Sequence, residues 1–220
     1  KREDKQPVFS FKLRGAYNRI AHLSPQERQQ GVITASAGNH AQGVAFAGQK
    51  LSIPTLIVMP VTTPTIKIDA VKAFGGNVVL HGDNYSEAAE HALQLSDSNN
   101  MLYIHPFDDE LVIAGQGTVA EEILRQNPGR LDAVFVPVGG GGLISGMAAY
   151  IKTLRPEIRV IGVEPRDSDS MGKSLAAGKR VTLPHVGAFA DGVAVKKVGK
   201  LTFDLCKKYV DEIIIVSTDE

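Results

Sequence analysis

Seven short, β-rich apolar runs alternate with helical patterns along this 220-residue chain, and that alternation restricts what it can fold into. The runs are 31–35, 55–59, 77–80, 101–104, 133–138, 159–163 and 212–216; helical patterns lie between them at 40–49, 66–74, 85–96, 117–126 and 143–154. Several runs are apolar throughout, which predicts strands buried on both faces. Strands separated by helices predict parallel sheets in an α/β architecture. In 85–96, Ser86 reads as a cap, with Ala89, Ala92, Leu93 and Ser96 on one face. Gly75-Gly76 reads as the end of the preceding helix. Lys+Arg and Asp+Glu balance at 24 each, with no basic stripe, which argues against a nucleic-acid partner. No apolar run approaches the ~20 residues of a membrane span. The single cysteine, Cys206, reads as a small core residue and allows no intrachain disulfide, and the six histidines lack metal-ligand spacing. The chain opens directly into dense motif residues and stops just after a strand, which reads as a piece of a longer protein cut at both ends.

The run 133–138 ends in Gly139, Gly140, Gly141 and Gly142, and Leu143 begins a helix. Four glycines carry no Cβ to block a ligand, so their N–H groups can close around an anion at a helix start, which carries roughly half a positive charge. This is a phosphate cradle. One candidate occupant is a dinucleotide, since Glu164 follows the cradle by roughly the spacing that such sites use, with Ser145 replacing the last glycine of the fingerprint. Two other segments bear on the choice. Ser10-Phe11-Lys12-Leu13-Arg14-Gly15-Ala16 places Lys12 at a helix start, and a lysine amine is what an aldehyde cofactor requires. Ser36-Ala37-Gly38-Asn39-His40 turns from strand into helix, where small side chains let amides approach a carboxylate and Asn39 offers donor and acceptor.

Taken in order, these three segments resemble the fold-type II pyridoxal phosphate enzymes, the tryptophan synthase β-like class, and within them the biosynthetic threonine dehydratases. Ile113-Ala114-Gly115-Gln116-Gly117-Thr118 and Phe189-Ala190-Asp191-Gly192-Val193-Ala194-Val195 extend the resemblance over essentially the whole chain. It implies two domains with parallel-rich twisted sheets flanked by helices: a large one from 1–33 and 112–220, incomplete at both ends, and a small inserted one at 34–111, with the cofactor in the cleft. It implies pyridoxal 5'-phosphate, with Lys12 forming the Schiff base, Phe11 near the ring and Asn39 on the ring hydroxyl. Gly139, Gly140, Gly141, Gly142 and the Leu143 amide would hold the phosphate, and Gly192 would lie beside the cofactor. Ser36, Ala37, Gly38, Asn39 and His40 would grip the substrate carboxylate.

The implied reaction converts L-threonine to 2-oxobutanoate and ammonia, the first step of isoleucine biosynthesis, with L-serine as a secondary substrate. An ordinary lysine, of pKa ~10.4, is a poor base at neutral pH, so the site must favour neutral Lys12 by desolvation or nearby positive charge. Serine racemases of the family carry serine where this chain has Ala37, and that serine supplies a proton from the opposite face. Serine dehydratase, serine racemase and an inactive cofactor-binding fragment are the alternatives. Some relatives bind a divalent cation at the positions of Glu164, Ser168 and Ser170; Ser170 is a poor ligand, so no metal is expected, with Glu164 a weak candidate. The resemblance places the partner of the pyridine nitrogen, and regulatory domains that bind isoleucine or valine, after residue 220. It implies a homo-oligomer, dimer or tetramer, in the cytoplasm, or in a plastid or mitochondrion if a transit peptide was removed.

Overall fold

The computed structural model describes residues 1–187 and 189–217. They form two compact units, Arg2–Pro106, and Phe107–Glu220 together with Lys1.

The first unit carries helices α1 (Lys12–Ala21), α2 (Pro25–Gln30), α3 (Asn39–Leu51), α4 (Thr65–Ala73) and α5 (Tyr85–Asn99). Its strands β1 (Val32–Ala35), β2 (Thr55–Met59), β3 (Asn77–Leu80) and β4 (Leu102–Tyr103) form a parallel sheet in the order β3-β2-β1-β4. β1 is central and buried at all four positions, as its unbroken apolar run requires. Ile33, Ala35 and Val58 of the sheet pack with Ala88 and Ala92 of α5. The inward face of α5 is therefore turned from the one predicted: Ala88 replaces Leu93, which is 50% exposed. Its cap also lies earlier, at Asn84, whose Oδ1 accepts from the amides of Ser86 at 2.9 Å and Glu87 at 3.2 Å. Asn84 precedes the helix in extended backbone, the geometry that lets a side chain reach back, and Ser86 already lies inside it. Residues 12–21, which the resemblance allots to the large domain, form α1 and pack here against α3.

The second unit carries α6 (Glu110–Gln126), α7 (Gly142–Leu154), α8 (Ser170–Ala177) and α9 (Lys200–Tyr209). Its strands β5 (Ala133–Pro137), β6 (Arg159–Pro165) and β7 (Glu212–Val216) form a parallel sheet in the order β5-β6-β7. Phe135, expected inside a buried strand, is 61% exposed because β5 is an edge of this sheet. α6 starts seven residues before the helical pattern at 117; Asp109 caps it, accepting from Val112 N at 2.9 Å.

The glycines within the α6 motif have a packing role. A Cβ on Gly146 of α7 would lie 2.2 Å from the Ile113 carbonyl oxygen and 2.8 Å from Gly117 N, and one on Gly117 would lie 3.0 Å from Gly146 O. The two backbones touch, and no side chain fits between them. Gly146→Ala is expected to force α6 and α7 apart and lower stability by about 2–3 kcal/mol, read as a lower urea midpoint with little change in slope.

Candidate active site

In the first unit, α1 begins at Lys12, whose backbone amide donates to Ser10 Oγ at 3.0 Å. A glycine on α3 permits this approach: a Cβ on Gly43 would lie 3.1 Å from the Lys12 carbonyl. The Lys12 amine donates to the Pro106 carbonyl at 2.9 Å and stands 5.6 Å from the centre of the Phe11 ring. Burial disfavours its charged form and lowers its pKa from 10.5 to about 8. The amine is therefore part neutral near physiological pH, and its environment, rather than an adjacent base, makes it so.

β1 runs out into Ser36-Ala37-Gly38, and α3 starts at Asn39. Gly38 is the N-cap and no side chain caps the helix; a Cβ there would meet nothing within 4 Å. Ser36 Oγ turns back to accept from Gly38 N at 3.1 Å. Asn39 is exposed at the helix mouth, whereas His40 is buried. The His40 ring lies 3.0 Å from the Ile104 carbonyl through Nε2, so Nε2 carries the proton and donates. Thr34 Oγ1 donates to the same carbonyl at 2.8 Å. Burial, and then the charge of Lys12, hold the His40 pKa down at about 3, so the ring is neutral. Its Nδ1, buried, meets no hydrogen-bond partner among the described residues. Segment 104–106 thus receives His40 at one end and Lys12 at the other. Sequence reasoning missed it because backbone carbonyls leave no signature in side-chain identity.

In the second unit, Gly139, Gly140 and Gly141 link β5 to α7, and Gly142 opens the helix. Gly141 has φ +95°, the left-handed region that favours glycine. The turn is packed from behind: a Cβ on Gly140 would lie 2.3 Å from the Phe107 ring, one on Gly141 2.6 Å from Met171 Cε, and one on Gly139 2.9 Å from Val193 Cα. Among the described residues, no acceptor takes the amides of Gly139, Gly140, Gly141, Gly142 or Leu143. Unpartnered amides on mostly buried residues at a helix start are the donor set a phosphate needs. Gly192 lies in the short turn Asp191–Val193, exposed, with nothing within 4 Å of its would-be Cβ. That turn reaches the cradle through the Val193 backbone beside Gly139.

Glu164 is buried, and its two carboxylate oxygens accept from Met171 N at 2.9 Å and Gly172 N at 2.7 Å. It caps α8, and burial pushes its pKa up to about 7. Among the described residues, no group of three or more His, Cys, Asp or Glu is placed to hold a metal ion.

Pyridoxal phosphate requires a desolvated lysine amine and an anion cradle, and these residues supply both chemistries. The whole chain, residues 1–220, matches the family model described as pyridoxal-phosphate dependent enzyme, and the chain belongs to that family. It is 59% identical over 222 residues to the biosynthetic L-threonine dehydratase IlvA of Burkholderia multivorans, covering 100% of this chain and 44% of that one. Over 219 residues it is 58% identical to the chloroplastic biosynthetic threonine dehydratase 2 of Solanum lycopersicum, covering 100% and 37%. Among solved structures, the processed form of threonine deaminase isoform 2 from Solanum lycopersicum matches with a TM-score of 0.97 at 57% identity, over 100% of this chain and 64% of that one. Maize serine racemase matches at 0.95 and 37%, over 99% and 65%. The fold is that of the fold-type II pyridoxal phosphate enzymes. The chain spans less than half the length of these curated relatives.

The lowered Lys12 pKa is directly measurable. Competitive acylation of the cofactor-free protein, read peptide by peptide by mass spectrometry, is expected to give half-maximal Lys12 reactivity at about pH 8, with reactivity rising above it as the amine loses its proton. A midpoint near the ordinary 10.5 would remove the burial argument.

Proposed function

We propose that this chain carries the dehydratase chemistry of its threonine dehydratase relatives: L-threonine is dehydrated and deaminated to 2-oxobutanoate and ammonia, with L-serine a secondary substrate. The observation that carries the reading is the buried Lys12 amine of depressed pKa at the start of α1. Lys12 would hold the cofactor aldehyde, Asn39 the ring hydroxyl, and Gly139, Gly140, Gly141, Gly142 and the Leu143 amide the phosphate. Phe11 and Gly192 would flank the ring. Bound pyridoxal phosphate supplies an electron-withdrawing ring that stabilises negative charge at the substrate Cα.

The chain's own residues do the rest. Amides at the start of α3, within Ser36, Ala37, Gly38, Asn39 and His40, bind the substrate carboxylate through the helix dipole and the N–H groups that no acceptor in the segment takes. Neutral His40 adds no charge of its own there. Lys12 Nζ, when free and neutral, takes the Cα proton. One methyl group separates threonine from serine and is worth about 1–3 kcal/mol, so both substrates are accepted with threonine preferred.

Racemisation is the second reading, supported by the likeness to serine racemase. Ala37 speaks against it, since a methyl group has no proton to deliver to the opposite face of Cα. By the same resemblance, the full protein acts in isoleucine biosynthesis as an allosterically regulated homo-oligomer, in the cytoplasm or a plastid. A division into a large domain of 1–33 and 112–220 and a small one of 34–111 belongs to that proposal. Among the described residues, no helix is long and apolar enough to cross a membrane.

The test is 2-oxobutanoate release from L-threonine in the presence of pyridoxal phosphate. Lys12→Ala is expected to reduce the rate by about 10³-fold or more. Retention of the rate in Lys12→Ala would remove Lys12 from the chemistry. Ala37→Ser is expected to raise the ratio of racemised to eliminated L-serine, measured by chiral chromatography alongside pyruvate release; an unchanged ratio would show that position 37 does not decide the outcome.

A further inference from the structure

We propose that Thr202 is a positioning residue for the glycine cradle, fixing the orientation of the Gly140–Gly141 peptide so that the Gly141 amide faces an anion. The inference rests on the reading of Gly139, Gly140, Gly141 and Gly142 as a phosphate site. Thr202 lies in the first turn of α9, fully buried, and its hydroxyl donates to the Gly140 carbonyl at 2.7 Å. The Gly140 carbonyl and the Gly141 N–H belong to one peptide unit. Among the described residues no peptide bond is cis, so the two groups point in opposite directions. A carbonyl turned onto α9 therefore turns the amide away from α9.

A tether has a job here because side-chain bulk does not fix this peptide, and the other donor to the Gly140 carbonyl, the Gly199 amide, stands farther off at 3.5 Å. Both flanking residues are glycines, and Gly141 already sits at φ +95°. Rotation of a peptide between two glycines meets little steric resistance, so an untethered cradle would sample orientations that present a carbonyl where the amide is needed. Ordering those orientations at the moment of binding would weaken binding.

Thr202 is itself held on three sides. Its amide donates to Asp108 Oδ1 at 3.2 Å, and its carbonyl accepts from Ser145 Oγ at 3.1 Å. Its Cβ and Oγ1 would lie 2.9 and 3.0 Å from a Cβ on Gly141. Asp108 also accepts from Lys200 N at 2.8 Å and Leu201 N at 2.9 Å, so one carboxylate caps the helix that carries the tether. Gly199 makes room for it, since a Cβ there would lie 2.2 Å from Asp108 Oδ1. The chain Asp108, α9, Thr202, Gly140 thus transmits a fixed position from one half-buried carboxylate to the cradle.

The experiment compares pyridoxal phosphate with pyridoxal, which lacks only the phosphate, by spectroscopic titration of the cofactor-free protein. Wild type is expected to bind the phosphorylated form far more tightly, with inorganic phosphate competing. Thr202→Val keeps the volume and loses the donor. It is expected to weaken pyridoxal phosphate by about tenfold, the size of one misdirected hydrogen bond to a charged group, while changing pyridoxal by less than about twofold. Thr202→Ser is expected to restore the preference. If valine is not tolerated, as judged by the thermal melt, Thr202→Ala against Thr202→Ser puts the same question. An unchanged ratio of the two affinities in the folded variant would overturn the role of Thr202 and leave the cradle standing. A wild-type protein that does not distinguish the two ligands would overturn the phosphate site itself, and the tether with it.

Discussion

Unsatisfied backbone amides at helix starts are the constraint around which both halves of this chain are arranged. At five helices such donors are satisfied by side chains: Ser24 caps α2, Asn84 α5, Asp109 α6, Glu164 α8 and Asp108 α9. α3 and α7 instead have glycine at the N-cap, with no side-chain cap. Each follows the end of a strand in a parallel sheet, where successive helices all begin on the same edge. Leaving these donors open costs stability in the empty protein. An anion that satisfied them would repay that cost by mass action.

Burial does the second part of the work, and the same downward push has different consequences for two neighbouring bases. Lys12 and His40 both lose affinity for protons, but they start from different places. The lysine is brought into the range where it exchanges protons at physiological pH, whereas the histidine is carried out of that range altogether. A histidine beside a buried amine invites an acid–base assignment. Here its role is geometric: Nε2 ties the start of α3 to the Ile104 carbonyl, two residues before the carbonyl that receives Lys12.

The strands were legible because an unbroken apolar run has few other uses, and each of the seven lies close to its predicted place. Edges were not. The apolar runs of β5 and β1 read alike in sequence, and only pairing order separates a central strand from an outer one. α5 starts at the predicted residue 85, with Asn84 rather than Ser86 as its cap, whereas α6 starts seven residues before the predicted 117, behind the Asp109 cap, because glycines at 115 and 117 obscure its helical pattern. In sequence, the glycines at 139–142 read as clearance for a ligand. The structure adds clearance for Phe107, Met171 and Val193, contacts set by residues distant in sequence. Asp108 shows the limit most clearly, since it caps a helix that begins 92 residues later.

The environment of Cys206 has a consequence for how this molecule can be watched. The thiol is buried in α9, 3.4 Å from Ser145 Oγ, and burial pushes its pKa up to about 12. Thiolate is then almost absent at neutral pH, and alkylating or oxidising reagents have no path to it while α9 stays seated. The only thiol in the sequence is thus silent in the closed structure and speaks only during local opening. Its modification rate is a clock for the helix that also bears Thr202, independent of any ligand spectrum.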